Sequence, residues 1–341
     1  MRRLRGPSRA LAEPGRPSRV SVAATATAVL ALTASGCVTV HGERELIPAA
    51  TKAEAEQALK EFTDAYNEAD KAHDPKLDAD RVTGALGAIN QAGLKSRSIT
   101  APGGNPQHQP LELTDATYVL PKKAGWPRWF VADTDSNRDA DDGPGDNRWL
   151  LVFVRNGADQ LWEVAYLAIL TPNEIPAFKT EGGFAVPVPA DSTALAVAPK
   201  DLGRNYVSFL DGGERGQFAA GPHTTLWREE REKGSKRLGL ATQYADQVTD
   251  AGDFAPLALA TEDGGALVFF ATRYFEQQTA ATGYRPKVDP DVKALMTGEV
   301  KNTVTKEWVS SQTVLVKPAG TDADGVTVAG RLQGVTGAKG S

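Results

Sequence analysis

One arrangement occurs twice in this chain and limits its fold more than any other feature. It is a strand-like run, an acidic turn, and a second strand-like run that closes on arginine. Phe130-Val131-Ala132-Asp133-Thr134-Asp135 precedes Leu150-Leu151-Val152-Phe153-Val154-Arg155, and Leu257-Ala258-Leu259-Ala260-Thr261-Glu262 precedes Leu267-Val268-Phe269-Phe270-Ala271-Thr272-Arg273. Short apolar runs bounded by turn residues read as strands, and strands joined by short turns pair antiparallel. Asn156–Gln160 and Asp263-Gly264-Gly265 supply such turns.

A helical pair stands ahead of each strand group. Thr51 followed by Glu54 is a capping-box pattern, and Ala55, Leu59, Phe62, Tyr66 and Ala69 form one apolar stripe, so Thr51–Ala72 is expected to be a helix. A looser helix is expected over Arg81–Leu94, and Leu111–Leu120, Arg128–Asp133, Trp149–Arg155 and Leu161–Leu170 are expected as strands. Residues 171–198, with Pro172, Pro176, Pro187, Pro189 and Gly182-Gly183, are dense in chain breakers and mark a boundary. Beyond it come helices over Asp201–Leu210 and His223–Lys233. Strands follow at Ala241–Gln247, Phe254–Thr261, Ala266–Gln277, Thr303–Val316 and Val326–Val335, with a helical turn at Pro290–Met296.

The expected fold class is therefore α+β, with two tandem domains at 52–170 and 199–341 joined by a linker at 171–198. Each is a curved antiparallel sheet with helices packed on one face. In element order both halves resemble the cone-shaped nuclear-transport-factor-two-like or cystatin-like architecture.

The chain opens with six arginines before Val20, then an uncharged run from Val20 to Ala34, then Ser35-Gly36-Cys37. Basic region, apolar region and small residues before a cut form the order of a secretory signal. The run covers fifteen residues, six of them alanine and four hydroxylic, while a membrane span needs about 20 apolar residues. Leu32-Thr33-Ala34-Ser35-Gly36-Cys37 resembles a bacterial lipobox. The resemblance implies cleavage before Cys37 and diacylglycerol on its sulfur, with residues 1–36 a signal segment and 37–51 a short tether. Arg2-Arg3 invites a twin-arginine route, but the hydrophobic residues that should follow the pair are missing, which favours general export. Gly36–Glu43, Trp126–Val131 and the loop after Asp133 also resemble uncharacterised lipoproteins of high-GC actinobacteria. That resemblance implies no particular activity.

Cys37 is the only cysteine, so once acylated it leaves no disulfide, thiol nucleophile or thiolate metal site. Loss of the signal removes six of 38 basic and one of 43 acidic residues, leaving 32 against 42, a net charge of −10. Nucleic-acid binding needs a concentrated basic surface and is disfavoured.

No Gly-x-Ser-x-Gly elbow is present, and His41, His73, His108 and His223 lack partners at metal-ligand spacing. Asp133 to Gly143 places acidic residues on alternate positions, as a calcium loop does. It lacks glycine at the sixth position, where Arg138 stands, and glutamate at the twelfth, where Pro144 stands. No metal and no cofactor are expected. Tyr118, Trp126, Arg128 and Trp129 are the candidate ligand-binding residues, because aromatic walls with a few polar groups suit a pocket mouth. The alternative is core and rim packing.

These features together imply a cell-membrane lipoprotein held by lipid on Cys37 at the extracytoplasmic face. It would act as a binding or assembly module for an envelope protein or small ligand. An enzyme using a cone-shaped pocket is the main rival, and a buried carboxylate or histidine deep in one half would favour it. A purely structural envelope scaffold is the third reading.

Overall fold

A computed structural model describes residues 45–140, 143–321 and 324–341; the signal segment, Cys37 and His41 lie outside them. Residues Gly42–Ser341 form one compact unit, and the three apolar clusters described below all fall inside it. The unit thus carries the cores that it needs to fold by itself.

The first half begins with β1 (Ile47–Pro48), α1 (Lys52–Ala72) and α2 (Gly84–Thr100). Thr51 caps α1 with a complete capping box: its hydroxyl accepts the Glu54 amide N–H at 3.1 Å, and the Glu54 carboxylate accepts the Thr51 amide N–H at 2.8 Å. Then follow β2 (Leu113–Val119), β3 (Lys122–Lys123), β4 (Arg128–Ser136), β5 (Arg148–Arg155) and β6 (Glu163–Leu170). Strands β2, β4, β5 and β6 form an antiparallel sheet in that order, and β1 pairs with β3.

The proline-rich segment contains β7 (Thr180–Glu181) and β8 (Phe184–Ala185), a two-stranded ribbon. The second half holds α3 (Pro199–Leu210), α4 (Thr225–Ser235), β9 (Lys236–Arg237), β10 (Leu240–Thr249), β11 (Leu257–Ala260) and β12 (Ala266–Ala280). It ends with α5 (Pro290–Ala294), β13 (Met296–Thr297), β14 (Thr303–Val316) and β15 (Val326–Gly340). Its sheet runs β13-β15-β14-β12-β10-β9, with β11 beside the first residues of β12. All its pairings are antiparallel except that of β13 with β15.

Strand alternation explains the packing. In β4 and β5, Phe130, Ala132, Leu151 and Phe153 face α1, while Val131, Leu150, Val152 and Val154 face the other way. In β12, Val268 and Phe270 face α3, while Leu267, Phe269 and Ala271 join Val131 and Val152 in a common apolar layer. Each sheet therefore has a helix layer on one face and the other sheet on its opposite face. Strands buried on both faces cannot alternate apolar with polar, hence the unbroken Leu150–Val154 and Ala266–Ala271 runs.

Residues 171–198 run along the second sheet. The Lys179 and Val188 amides donate to Ala260 and Ala258 carbonyls, each at 2.9 Å, and Ile175 and Phe178 pack on the layer between the sheets. Among the described residues no helix is long and apolar enough to cross a membrane.

Candidate functional site

The apolar stripe of α1 also borders a cleft between the halves. Phe62 and Tyr66 stand one turn apart on α1; Leu86, Ile89, Asn90, Gly93 and Arg97 follow one face of α2. Leu167 and Ile169 lie two apart on β6 and so share a face, beside Trp149 of β5. Strand β15 of the other half closes the space with Leu332, Gly334 and Val335. Its backbone comes close to α2 because residue 334 is glycine: a Cβ there would lie 2.7 Å from Ile89 Cγ2. The resulting cleft measures about 370 Å³, at the small end of the range for ligand pockets.

Most of this lining is apolar, and Ile169 at the rim is 42 % exposed. Among the described lining residues, Arg97 is the only charged one. Its Nη2 lies 3.9 Å from Asp70 Oδ1, beyond hydrogen-bond reach. Asp70 is engaged elsewhere, with His108 Nδ1 at 2.9 Å and Asn105 Nδ2 at 3.1 Å. Burial alone would raise the Asp70 carboxyl, but these hydrogen bonds and the Arg97 charge outweigh it and hold the group below its ordinary value. Burial pushes the Tyr66 hydroxyl up, and the neighbouring Asp70 charge adds to that.

The four residues singled out by sequence stand apart from this cleft. Trp126 and Arg128 are together, the guanidinium 4.5 Å from the ring centroid, and Arg155 approaches the same ring at 5.1 Å. Trp129, next along β4, points to the opposite face and is buried in the layer between the sheets. Tyr118 packs edge-on to Phe130 at 6.4 Å and borders a separate groove between α1 and β2.

The acidic loop is tied internally. Arg148 Nε meets Asp133 Oδ1 at 2.5 Å, and its Nη1 meets Asp115 Oδ2 at 3.0 Å. Asp139 accepts the Asn147 amide N–H at 2.7 Å; Asp141 and Asp142 lie outside the described residues. Among the described residues no three His, Cys, Asp or Glu side chains converge as a metal ion would require.

A second cluster, which sequence reading missed, lies under α4. Arg231 makes a bidentate pair with Asp246 at 2.6 and 3.0 Å, with side chains only 6 % and 1 % exposed. Trp227, Tyr244 and Tyr274 surround its guanidinium at 4.9, 4.6 and 4.6 Å. Arg331 stacks on the other side of the cage, 3.7 Å from Trp227.

Asp78 is the buried carboxylate that an enzyme reading asks for. Asn90 and Gln91 amides occupy its two oxygens at 2.5 and 2.6 Å, and burial pushes its pKa up. Among the described residues no hydroxyl or imidazole bonds to it, and the two amide bonds tie α2 to the preceding loop. His73 is buried too, its Nδ1 3.0 Å from the Ala101 carbonyl oxygen.

A family model described as "Domain of unknown function (DUF8094)" matches residues 46–340. An "Uncharacterized lipoprotein" of Streptomyces coelicolor is 53% identical over 340 residues, 98% of either chain. A second protein of that description, from Streptomyces avermitilis, is 51% identical over 343 residues, 100% of either chain.

Proposed function

The chain belongs to the DUF8094 family, and on that premise we propose that it is a lipid-anchored binding module at the extracytoplasmic face of the cell membrane. Its junction cleft takes the apolar part of a ligand. The observation that carries the binding role is the cleft between α1, α2, β6 and β15, apolar on most sides and open at Ile169. The lipobox-like Leu32–Cys37 stretch and the lipoprotein names of both relatives support the anchor on Cys37. The −10 charge of the processed chain leaves lipid, rather than surface attraction, as the force that holds the body at an anionic membrane.

The division into domains at 52–170 and 199–341 with a connection at 171–198 belongs to the same proposal. So does the likeness of each half to the nuclear-transport-factor-two-like or cystatin-like architecture, supported by the order of two helices and then an antiparallel sheet. Limited proteolysis tests the division. First cleavage within 171–198 with release of two folded pieces supports it, and resistance there with cleavage at 139–145 shows one merged unit.

Two measurements test the functional reading. Cells expressing Cys37→Ala should show no fatty-acid label on this protein and should leave the precursor uncut; normal labelling would overturn the anchor. The body of residues 42–341 should bind decanol with saturation, and Ile169→Trp at the rim should weaken that binding. Absence of any saturable binding would remove the cleft as a ligand site.

A further inference from the structure

We propose that the junction cleft is built for an anionic amphiphile, an alkyl chain carrying a carboxylate or phosphate head, with Arg97 as the residue that reads the head. This rests on the apolar-ligand reading above and adds a charge to it. An alkyl tail needs only apolar walls, and Phe62, Leu86 and Leu332 provide them. A head group must stay at the mouth, where its charge keeps contact with water. Arg97 is there, in the last turn of α2, with its side chain 39 % exposed.

Its charge is only loosely answered. Asp70 is 3.9 Å away and already hydrogen-bonded to His108 and Asn105. Asp78 is buried and bonded to Asn90 and Gln91, and the Asp291 carboxylate accepts the Thr100 hydroxyl at 2.8 Å. The Arg97 Nε is shielded from solvent and has no hydrogen-bond partner among the described residues. A guanidinium offers five donors in a planar fork that fits a carboxylate or phosphate with two parallel bonds. An anion at the mouth would take up donors that the protein leaves unused, while its chain filled the cleft.

The opposite charge would be refused. A cationic amphiphile would set its head beside Arg97, and the one carboxylate within reach is engaged. A neutral alcohol would offer Arg97 a single uncharged acceptor and so a weaker bond than an anion.

The test uses the body of residues 42–341, with decanoate, decyl phosphate and decanol as probes of one chain length. Binding is read by calorimetry and by intrinsic tryptophan fluorescence, to which Trp149 in the lining contributes. The expected result is binding of at least one anion about tenfold or more tighter than decanol, since a hydrogen bond to a charged group supplies that much. Arg97→Gln should erase the preference for the anions over decanol, while Arg97→Lys should keep part of it. Circular dichroism checks that each variant is folded. The relative affinity of decanoate and decyl phosphate identifies the head group. Equal binding of decanol and both anions, or a preference that survives Arg97→Gln, overturns the role of Arg97 and leaves the apolar reading standing. Failure of all three probes to bind overturns the apolar reading itself.

Discussion

The Arg231–Asp246 pair makes a demanding test of how the second half is held together. Both side chains are almost wholly withdrawn from water, so removing one partner strands a charge. The general cost of that is about 3–5 kcal/mol. The two single variants should not cost the same. Asp246→Asn leaves Arg231 with three aromatic rings within 5 Å of its guanidinium, each ring worth about 0.5–2 kcal/mol to a cation. Its cost should sit near the lower figure, about 3 kcal/mol. Arg231→Met leaves a carboxylate with no cation bonded to it and discards the ring contacts, so it should reach the upper figure, about 5 kcal/mol. Arg231→Met with Asp246→Leu replaces charge by apolar volume inside an aromatic cage. That double variant should fall within about 1–2 kcal/mol of the parent, because exchanging a buried pair for packed apolar groups is near neutral. The assay is urea unfolding of residues 42–341 followed by far-ultraviolet circular dichroism, with a constant denaturant slope as the control for two-state behaviour. A double variant that costs the sum of the singles would show that the two side chains act independently, and the reasoning would fail.

Three further outcomes are expected. Gly93→Ala should stabilise by about 0.5–1 kcal/mol, because a helical glycine is replaced and the new Cβ meets only the flexible Arg97 Nη1 at 3.4 Å; Gly87→Ala should destabilise, because its Cβ would lie 3.1 and 3.2 Å from the Val82 carbonyl carbon and oxygen, which cannot swing away. Thermal melts of the two variants decide the pair. Thr51→Ala should cost about 1 kcal/mol. The Thr51 amide N–H holds the Glu54 carboxylate below its ordinary 4.5, so this cap contributes fully above that value and its contribution is lost as pH falls through the lowered one. Glu54→Gln should therefore flatten the acid limb of the stability curve, and an unchanged limb would exclude the cap as its source. Calcium should bind the loop around Asp135 no more tightly than the millimolar range, and calorimetry showing an affinity better than about 10 µM, lost in Asp135→Asn, would reverse that reading.

The element order was largely legible in the sequence. Capping chemistry marked α1 to the residue, and Thr303–Val316 stands as a strand with the bounds that its composition implied. The second helix begins at Gly84 and runs to Thr100 rather than over Arg81–Leu94, because its apolar positions are interrupted by glycine and its end carries Ser and Thr, which weaken the periodic signal. The packing of sheet on sheet was not legible. It rests on Val152 and Phe269 sharing a layer, and uninterrupted apolar runs say that both faces of a strand are covered without saying by what.

Sites were less legible still. Aromatic density drew attention to Trp126–Trp129, but alternation along β4 sends Arg128 and Trp129 to opposite faces. The cleft residues come from five elements with no local motif to join them. One signal was available: Ile169, apolar at a position where the face of β6 opens to solvent. For the cage the signal was Asp246, an acid at an inward position of a strand that also turns Tyr244 inward, which calls for a buried cation.

The cleft is shared between segments that lie at opposite ends of the described chain, α1 with Phe62 and β15 with Leu332. Neither half owns a complete site, so occupancy and the docking of one half on the other are linked quantities. Whatever binds there binds the docked arrangement and not the parted one, and at a hundred times its dissociation constant it adds about 2.7 kcal/mol to docking. The ligand would then act as a clasp: a filled cleft fastens the two sheets together, and an empty one leaves the junction to its own apolar layer. Resistance of the junction to denaturant would then report whether the cleft is filled.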